Sequence, residues 1–557
     1  MRTTLAFFLL LTIASGAARL YAQGGAVQEQ QVVIEKDARI DLPILKKNAE
    51  KAVPEPLKRV RGRIQYELNT PNYETQPLEV NLALPETQAV DRPVLDRSKE
   101  GYLMGGIGNF ATTYLEGLFT QKISPNFSYG LHGKHWYARR GPVGGADYSA
   151  NNLHGVGAYA DFFTETAHWH TDLSYTRQMF RYYGYAFEND NLPFGDSLRQ
   201  VFQRVDWSLR YQNKSAQSPW QYLAALNVRS WSSRENNSEQ QLQLQGQLNY
   251  HWNERWQMGI YADGSYVALR TAEQPNNENA RAWLGLHPTL IRKDSVWRAE
   301  VGVVLLAQQE RQGQETELRL LPHLLFSYDW RPILRATIGF VGQLQANTLY
   351  SLSRENPFIA TDALPRNTVR NYELFLKLQG DLSPEWNYQV RAAWANDEQF
   401  YLFLNNPLDP ARFDVLYVPT NAQTWSLKAQ TEYELKPGLQ AGGSLQYLYY
   451  QLPETTEAWH RPSWVGNTHL SYDPIKNLRL NLDFYLYAGI KAFNFNAATT
   501  VDLPLIADLN LQAEYMLWKH WSVFARTNNL FGNTYQQYYR YPVRGLNFLI
   551  GLTYDFR

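Results

Sequence analysis

From residue 101 onward, apolar and polar side chains alternate with a period of two over runs of about ten residues, longer than the usual strand of a water-soluble sheet. In 478–486, Leu478, Leu480, Leu482, Phe484 and Leu486 interleave with Arg479, Asn481, Asp483 and Tyr485. Segment 241–250 sets Leu242, Leu244, Leu248 and Tyr250 against Gln241, Gln243, Gln245, Gln247 and Asn249, and segments 425–434 and 505–515 repeat the pattern. Successive strand side chains point to opposite faces, so each run predicts a strand with one oily and one wet side. A soluble β-sandwich shares that alternation. The length of the runs and their recurrence to the end of the chain predict a barrel wall instead, with lipid outside and a polar lumen within.

The links between runs alternate as well. Short turns rich in Pro, Asp, Asn and Gly are expected at Ser124-Pro125-Asn126, Asn253-Glu254, Lys293-Asp294, Arg331-Pro332, Ser383-Pro384, Lys436-Pro437-Gly438 and Asp473-Pro474. Longer links are expected at 138–150, 183–198, 271–280, 347–368, 453–462, 491–499 and 532–543. Short turns on one side and long loops on the other are the habit of outer-membrane barrels, with the long loops facing outward. The predicted fold is all-β, a transmembrane antiparallel up-and-down barrel of about 22 strands within a range of 18–22. Segment 102–121 is either one long strand or a tight hairpin, because Gly105, Gly106 and Gly108 fit both.

Composition narrows the compartment. Arg2 precedes an apolar run from Leu5 to Ile13 and a small-residue cut at Ala22-Gln23, which reads as a secretory signal peptide over 1–22. No stretch is long and apolar enough for a helical membrane span, and 37 Tyr and 17 Trp against 25 Phe suit rings at two membrane–water boundaries. The expected location is the outer membrane of a Gram-negative-type cell, with outer-membrane lipid as an obligatory partner. Cysteine is absent, which excludes disulfides and thiolate metal sites. Lys plus Arg and Asp plus Glu both number 53, so no overall field recruits nucleic acid.

Candidate chemistry is sparse. His132 with His135 and His168 with His170 are close pairs; the second pair shares a strand face, but no carboxylate is assured beside it, so they are read as lumen or rim residues and no metal or cofactor is assigned. The outward link 183–198 carries Tyr185, Phe187, Glu188, Asp190, Phe194 and Asp196, a mixture of aromatics and acids suited to a sugar or a cation. The last outward link carries Tyr535, Tyr538, Tyr539, Arg540, Tyr541 and Arg544, residue types favoured at recognition surfaces and equally at membrane interfaces. No Gly-x-Ser-x-Gly, His-Glu-x-x-His or Gly-rich phosphate loop occurs, and the chain is not read as an enzyme.

The chain ends with Asn529-Leu530-Phe531-Gly532-Asn533-Thr534-Tyr535, then Tyr541-Pro542, then a run from Gly545 to Phe556 in which Phe548, Ile550, Leu552, Tyr554 and Phe556 form one apolar face. This resembles the last two strands of TonB-dependent receptors, and the aromatic terminus resembles the signal read by the barrel-insertion machinery. Two departures are the extra Arg557 and the order Arg544-Gly545. The run Val32-Val33-Ile34-Glu35-Lys36-Asp37 and the first barrel segment resemble receptor-like barrels common in Bacteroidetes.

The resemblance implies a globular plug before the barrel, yet only 23–100 is available for one. That segment is polar, punctuated by seven prolines between Pro43 and Pro93, and basic at Lys46, Lys47, Lys51, Lys58, Arg59, Arg61 and Arg63. It is read as a reduced plug or periplasmic docking arm, or as an extended linker. Val32, Val33 and Ile34 are a candidate TonB contact, since β-pairing needs only a free extended backbone with apolar side chains. The leading expectation is a receptor-like transport barrel that imports or conducts a ligand, with TonB or a surface lipoprotein over the outward loops as candidate partners; a plugless scaffold or partner subunit of an envelope complex and a passive porin are the alternatives. A lumen this wide must be obstructed by 23–100, by an inward-folded 347–368 loop or by another polypeptide.

Overall fold

The computed structural model describes residues 101–556 apart from 145, 186–194, 214–217, 273, 312, 331–332 and 453–456. The periodic runs join into one antiparallel sheet of 22 strands. The first are β1 (Gly101–Gly108), β2 (Thr112–Ser124), β3 (Phe127–Ala138), β4 (Asn151–Phe163), β5 (Ala167–Arg181), β6 (Arg199–Asn213), β7 (Trp220–Ser233), β8 (Ser238–His251) and β9 (Trp256–Thr271). The rest continue up and down to Asn547–Phe556. That last strand pairs with β1, Phe556 opposite Gly101 and Leu549 opposite Gly108, so the sheet closes and no backbone edge faces lipid.

Parity holds around the wall. Ile107, Leu131, Val156, Leu173, Leu244 and Ile550 stand exposed on the outside, an apolar surface that only acyl chains can cover, while Trp231, Trp283 and Arg281 point inward and are buried. Phe548, Ile550 and Leu552 are exposed and Tyr554 and Phe556 half-exposed on the outer side of the closing strand, as the alternation implies. Among the described residues no helix is long and apolar enough to cross a membrane.

Segment 102–121 is a hairpin: β1 and β2 pair from Gly108 and Thr112 downward, and Phe110 and Ala111 turn the chain with left-handed backbone at φ 56° and 53°. The link expected at 271–280 is instead strand, since β9 ends at Thr271 and the next strand runs Gln274–Lys293 with a register shift between Gln274 and Asn279. A strand end that rises beyond the bilayer needs no apolar face, so its polar sequence looks like a loop. The turn expected at Asp473-Pro474 lies inside strand Trp464–Ile475; the ladder shifts register between Tyr472 and Ile475, and a bulge tolerates the missing N–H of Pro474. One long outward link went unread: 399–421 carries its own hairpin, Tyr401–Asn405 with Phe413–Tyr417.

The seam between β1 and the last strand depends on small residues. Gly551 faces Gly106, and a Cβ there would lie 2.1 Å from the Gly105 carbonyl oxygen and 2.5 Å from Phe524 Cζ. Gly551→Ala is expected to cost about 1–3 kcal/mol of closure. Heat-dependent gel mobility of the folded barrel should shift to lower temperature, and an unchanged transition would show that the seam has room to spare.

Candidate functional site

The site is the outward mouth of the lumen, which the chain fills with its own loops. The 345–368 link turns inward, and Thr348 caps the short helix Leu349–Glu355 by exchanging hydrogen bonds with Ser351. Two inward-facing wall residues hold it. Glu239 of β8 accepts from the backbone N–H of Leu349 at 2.6 Å and of Tyr350 at 3.2 Å. Arg281 donates to the carbonyls of Asn347 at 3.0 Å and Pro365 at 2.7 Å, and so grips both ends of the link. A charged hydrogen bond to each terminus of a loop fixes it more firmly than neutral contacts would. Leu349 and Leu352 then bury against Phe202, Trp231 and Leu269 of the wall.

Three further links converge on the far end of this helix. Glu355 pairs with Arg461 at 2.8 Å and accepts from the Tyr401 hydroxyl at 2.6 Å, and its carbonyl accepts from the Tyr538 hydroxyl at 2.9 Å. Burial pushes the Glu355 carboxyl up, against the downward pull of Arg461 and Tyr401. Phe358 stacks on Tyr541 with ring centroids 3.5 Å apart, and Phe413 completes the aromatic cluster. His460 donates from Nδ1 to the Phe403 carbonyl at 2.8 Å and its Nε2 accepts the Tyr539 N–H at 3.3 Å, a pattern only the neutral ring satisfies. Burial pushes its pKa down to about 4.

Beneath the loop lies a cavity of about 400 Å³ against the wall of β3–β7. Its polar lining includes His132, Lys134, Arg204, Tyr350 and Arg354 and contains no carboxylate. The Tyr350 ring sits under two guanidinium groups, with Arg204 at 4.9 Å and Arg229 at 4.2 Å from its centroid. Asp206 lies behind both arginines and pairs with each.

The residues singled out from sequence fall into three groups. Tyr538, Arg540 and Arg544 are buried, and their loop is folded into the mouth rather than spread as a free outer surface. Arg544 donates to the Arg140 carbonyl at 3.0 Å and lies over the Trp136 ring, tying the last link to the β3–β4 link, while Tyr539 reaches His460 through its backbone. Tyr185 packs against the same aromatic cluster and donates to Asp409. Asp196 stands apart, exposed, paired with Arg234 at 2.6 Å and Arg199 at 3.1 Å. Phe187, Glu188, Asp190, Val32, Val33 and Ile34 lie outside the described residues.

The histidine pairs also separate. His132 faces the lumen cavity, whereas His135 is on the opposite face of β3 and meets His154 at 3.0 Å. His168 and His170 share one oxygen of Asp161, at 2.7 and 2.9 Å, the neighbouring-strand carboxylate that the sequence left unassigned. Among the described residues no group of three or more His, Asp or Glu side chains is arranged to hold a metal.

No protein-family model matches the chain, and no curated protein matches it. Solved structures do. The FrpB iron transporter of Neisseria meningitidis (F3-3 variant) superposes with a TM-score of 0.66 at 10% identity, covering 83% of this chain and 82% of that one. The barrel has the fold of that transporter. A mutant ferric enterobactin receptor (PfeA) of Pseudomonas aeruginosa, in complex with enterobactin, gives 0.63 at 13% identity over 82% of this chain and 81% of its own. The siderophore receptor PirA of Acinetobacter baumannii gives 0.61 at 11% identity over 82% and 80%. The resemblance carried by the last two strands is thus joined by a likeness of fold around the whole barrel.

Glu239, Arg281, Glu355 and Arg461, which build the mouth, were not singled out from sequence. A charge at an inward position is ordinary for a wet lumen, and nothing local distinguishes one that meets a loop a hundred residues away.

Proposed function

We propose that the protein is an outer-membrane, receptor-like transport barrel whose mouth is closed by its own outward loops and opens to admit a ligand into the lumen. One observation carries this reading: five outward links converge inside the mouth, fastened by buried charge, above a lined cavity. A basic lining without carboxylates suits an anionic solute. By their names the receptors of like fold handle iron or siderophores, and a negatively charged metal chelate is the kind of ligand such a lining would hold. In the same reading 1–22 is removed on export, 23–100 is a reduced plug or periplasmic docking arm, and Val32–Ile34 offers TonB an extended strand.

Planar-bilayer conductance tests the reading. The full chain is expected to stay closed, and replacing 348–366 by a short Gly-Ser linker should give a large steady conductance. A wild-type barrel that conducts steadily would be a porin. A barrel that stays closed after loop replacement and after truncation of 23–100 would be a scaffold.

A further inference from the structure

A second charged surface faces the opposite way, into the membrane. On β4, β5 and β6 the outward positions Val156, Leu173 and Val205 are exposed and must touch acyl chains. Nearer the outward end the same faces change character in register: His135 is opposite His154, His154 opposite Arg177, and Arg177 opposite Gln203. Four residues higher, roughly 13 Å along the strand, Arg181 is opposite Arg199. Arg234 joins them from the β7–β8 turn, and Asp196 is the carboxylate that Arg199 and Arg234 share. No Asp or Glu occupies an outward position of β3–β9.

This cationic sector is local. The outward face of strand Glu317–Trp330 stays apolar to its upper end, with Leu318 and Leu320 at 81% and 72% exposure, and the outward face of Leu334–Gln345 carries no charge. An arginine facing hydrocarbon costs about 2–4 kcal/mol at the bilayer midplane and almost nothing at the interface, so these side chains belong at headgroup height. A lipid whose chains lie on Val156, Leu173 and Val205 therefore brings its headgroup against the arginines.

We propose that the outer surface of β3–β6 binds a phosphorylated glycolipid of the outer leaflet, its chains along the apolar stripes and its phosphates on Arg177, Arg199 and Arg234. Guanidinium forks match phosphate oxygens in pairs, and a glycolipid headgroup spreads its anions over the height that these residues span. This site is on the lipid side of the wall and stands whether or not the lumen transports.

The test uses the full chain in neutral detergent and native mass spectrometry with three probes: bisphosphorylated lipid A, its dephosphorylated form, and phosphatidylglycerol. The wild type should retain bisphosphorylated lipid A at least about tenfold better than either other probe, and the preference should weaken with salt. The combined R177Q, R199Q and R234Q variant should lose that preference, while R292Q with K293Q, at the short-turn end, should keep it. Equal retention of the phosphorylated and dephosphorylated forms would overturn the proposal, and equal retention of phosphatidylglycerol would overturn the glycolipid as its occupant. Because salt dependence and probe preference are read on the wild type, the outcome stands even if the triple variant folds poorly.

Discussion

Arg461→Met should loosen the mouth by about 3–5 kcal/mol, because it strands a buried carboxylate without its counter-charge. Arg461 donates to Glu355 at 2.8 Å and to the Tyr401 carbonyl at 3.0 Å, and its guanidinium lies 4.6 Å from the Tyr401 ring centroid. With it gone, Glu355 keeps only the Tyr401 hydroxyl as a side-chain partner. The expected readout is faster hydrogen exchange and protease cleavage across 349–360, with the melting of the barrel almost unchanged, since strand pairing does not involve this pair. Adding Glu355→Gln to Arg461→Met should recover most of the loss, because a neutral amide leaves no charge stranded. Equal protection of wild type and Arg461→Met would mean that apolar packing alone seats the loop.

The second large effect is acidification. His460 has a folded-state pKa of about 4, below its ordinary value near 6.5, so the folded mouth favours the neutral ring. For a group depressed in this way the stabilisation is complete above about 6.5 and is lost as pH falls towards 4, with stability rising with pH in between. The full loss amounts to about 3 kcal/mol, since a protonated ring must hold its charge in a buried site, beside Arg461, and can no longer accept the Tyr539 N–H. Opening events in a planar bilayer should therefore become more frequent from pH 6.5 down to 4. His460→Gln should flatten that profile, and a wild-type profile that is flat already would show that the ring is not confined.

The barrel was legible in the sequence because one physical demand, lipid on one side and water on the other, writes itself into every second residue. Leu478 to Leu486 and Gln241 to Tyr250 state their own geometry without reference to anything distant. Local chemistry misled where a residue has two uses: Asp473-Pro474 suits a turn, yet it sits at a bulge, and the polar run 274–279 suits a loop, yet it forms strand. The mouth was legible only in outline. An inward 347–368 loop was among the candidates, but its partners Glu239, Arg281 and Arg461 come from separate strands and links. Tyr538, Arg540 and Arg544 were noticed for the right residue types, and their burial follows from a convergence of loops that spacing along the chain does not encode.

The pairing of β1 with Asn547–Phe556 sets an order of construction. The first stave made has its permanent neighbour only when the last one arrives, so during biogenesis the growing sheet must carry two raw edges at once. An escort that shields both of them is thus as much a requirement of this architecture as the hydrogen bonds themselves. Losing even the final ten residues would bare an edge on two strands, β1 and Trp521–Asn528, where the closed sheet has none.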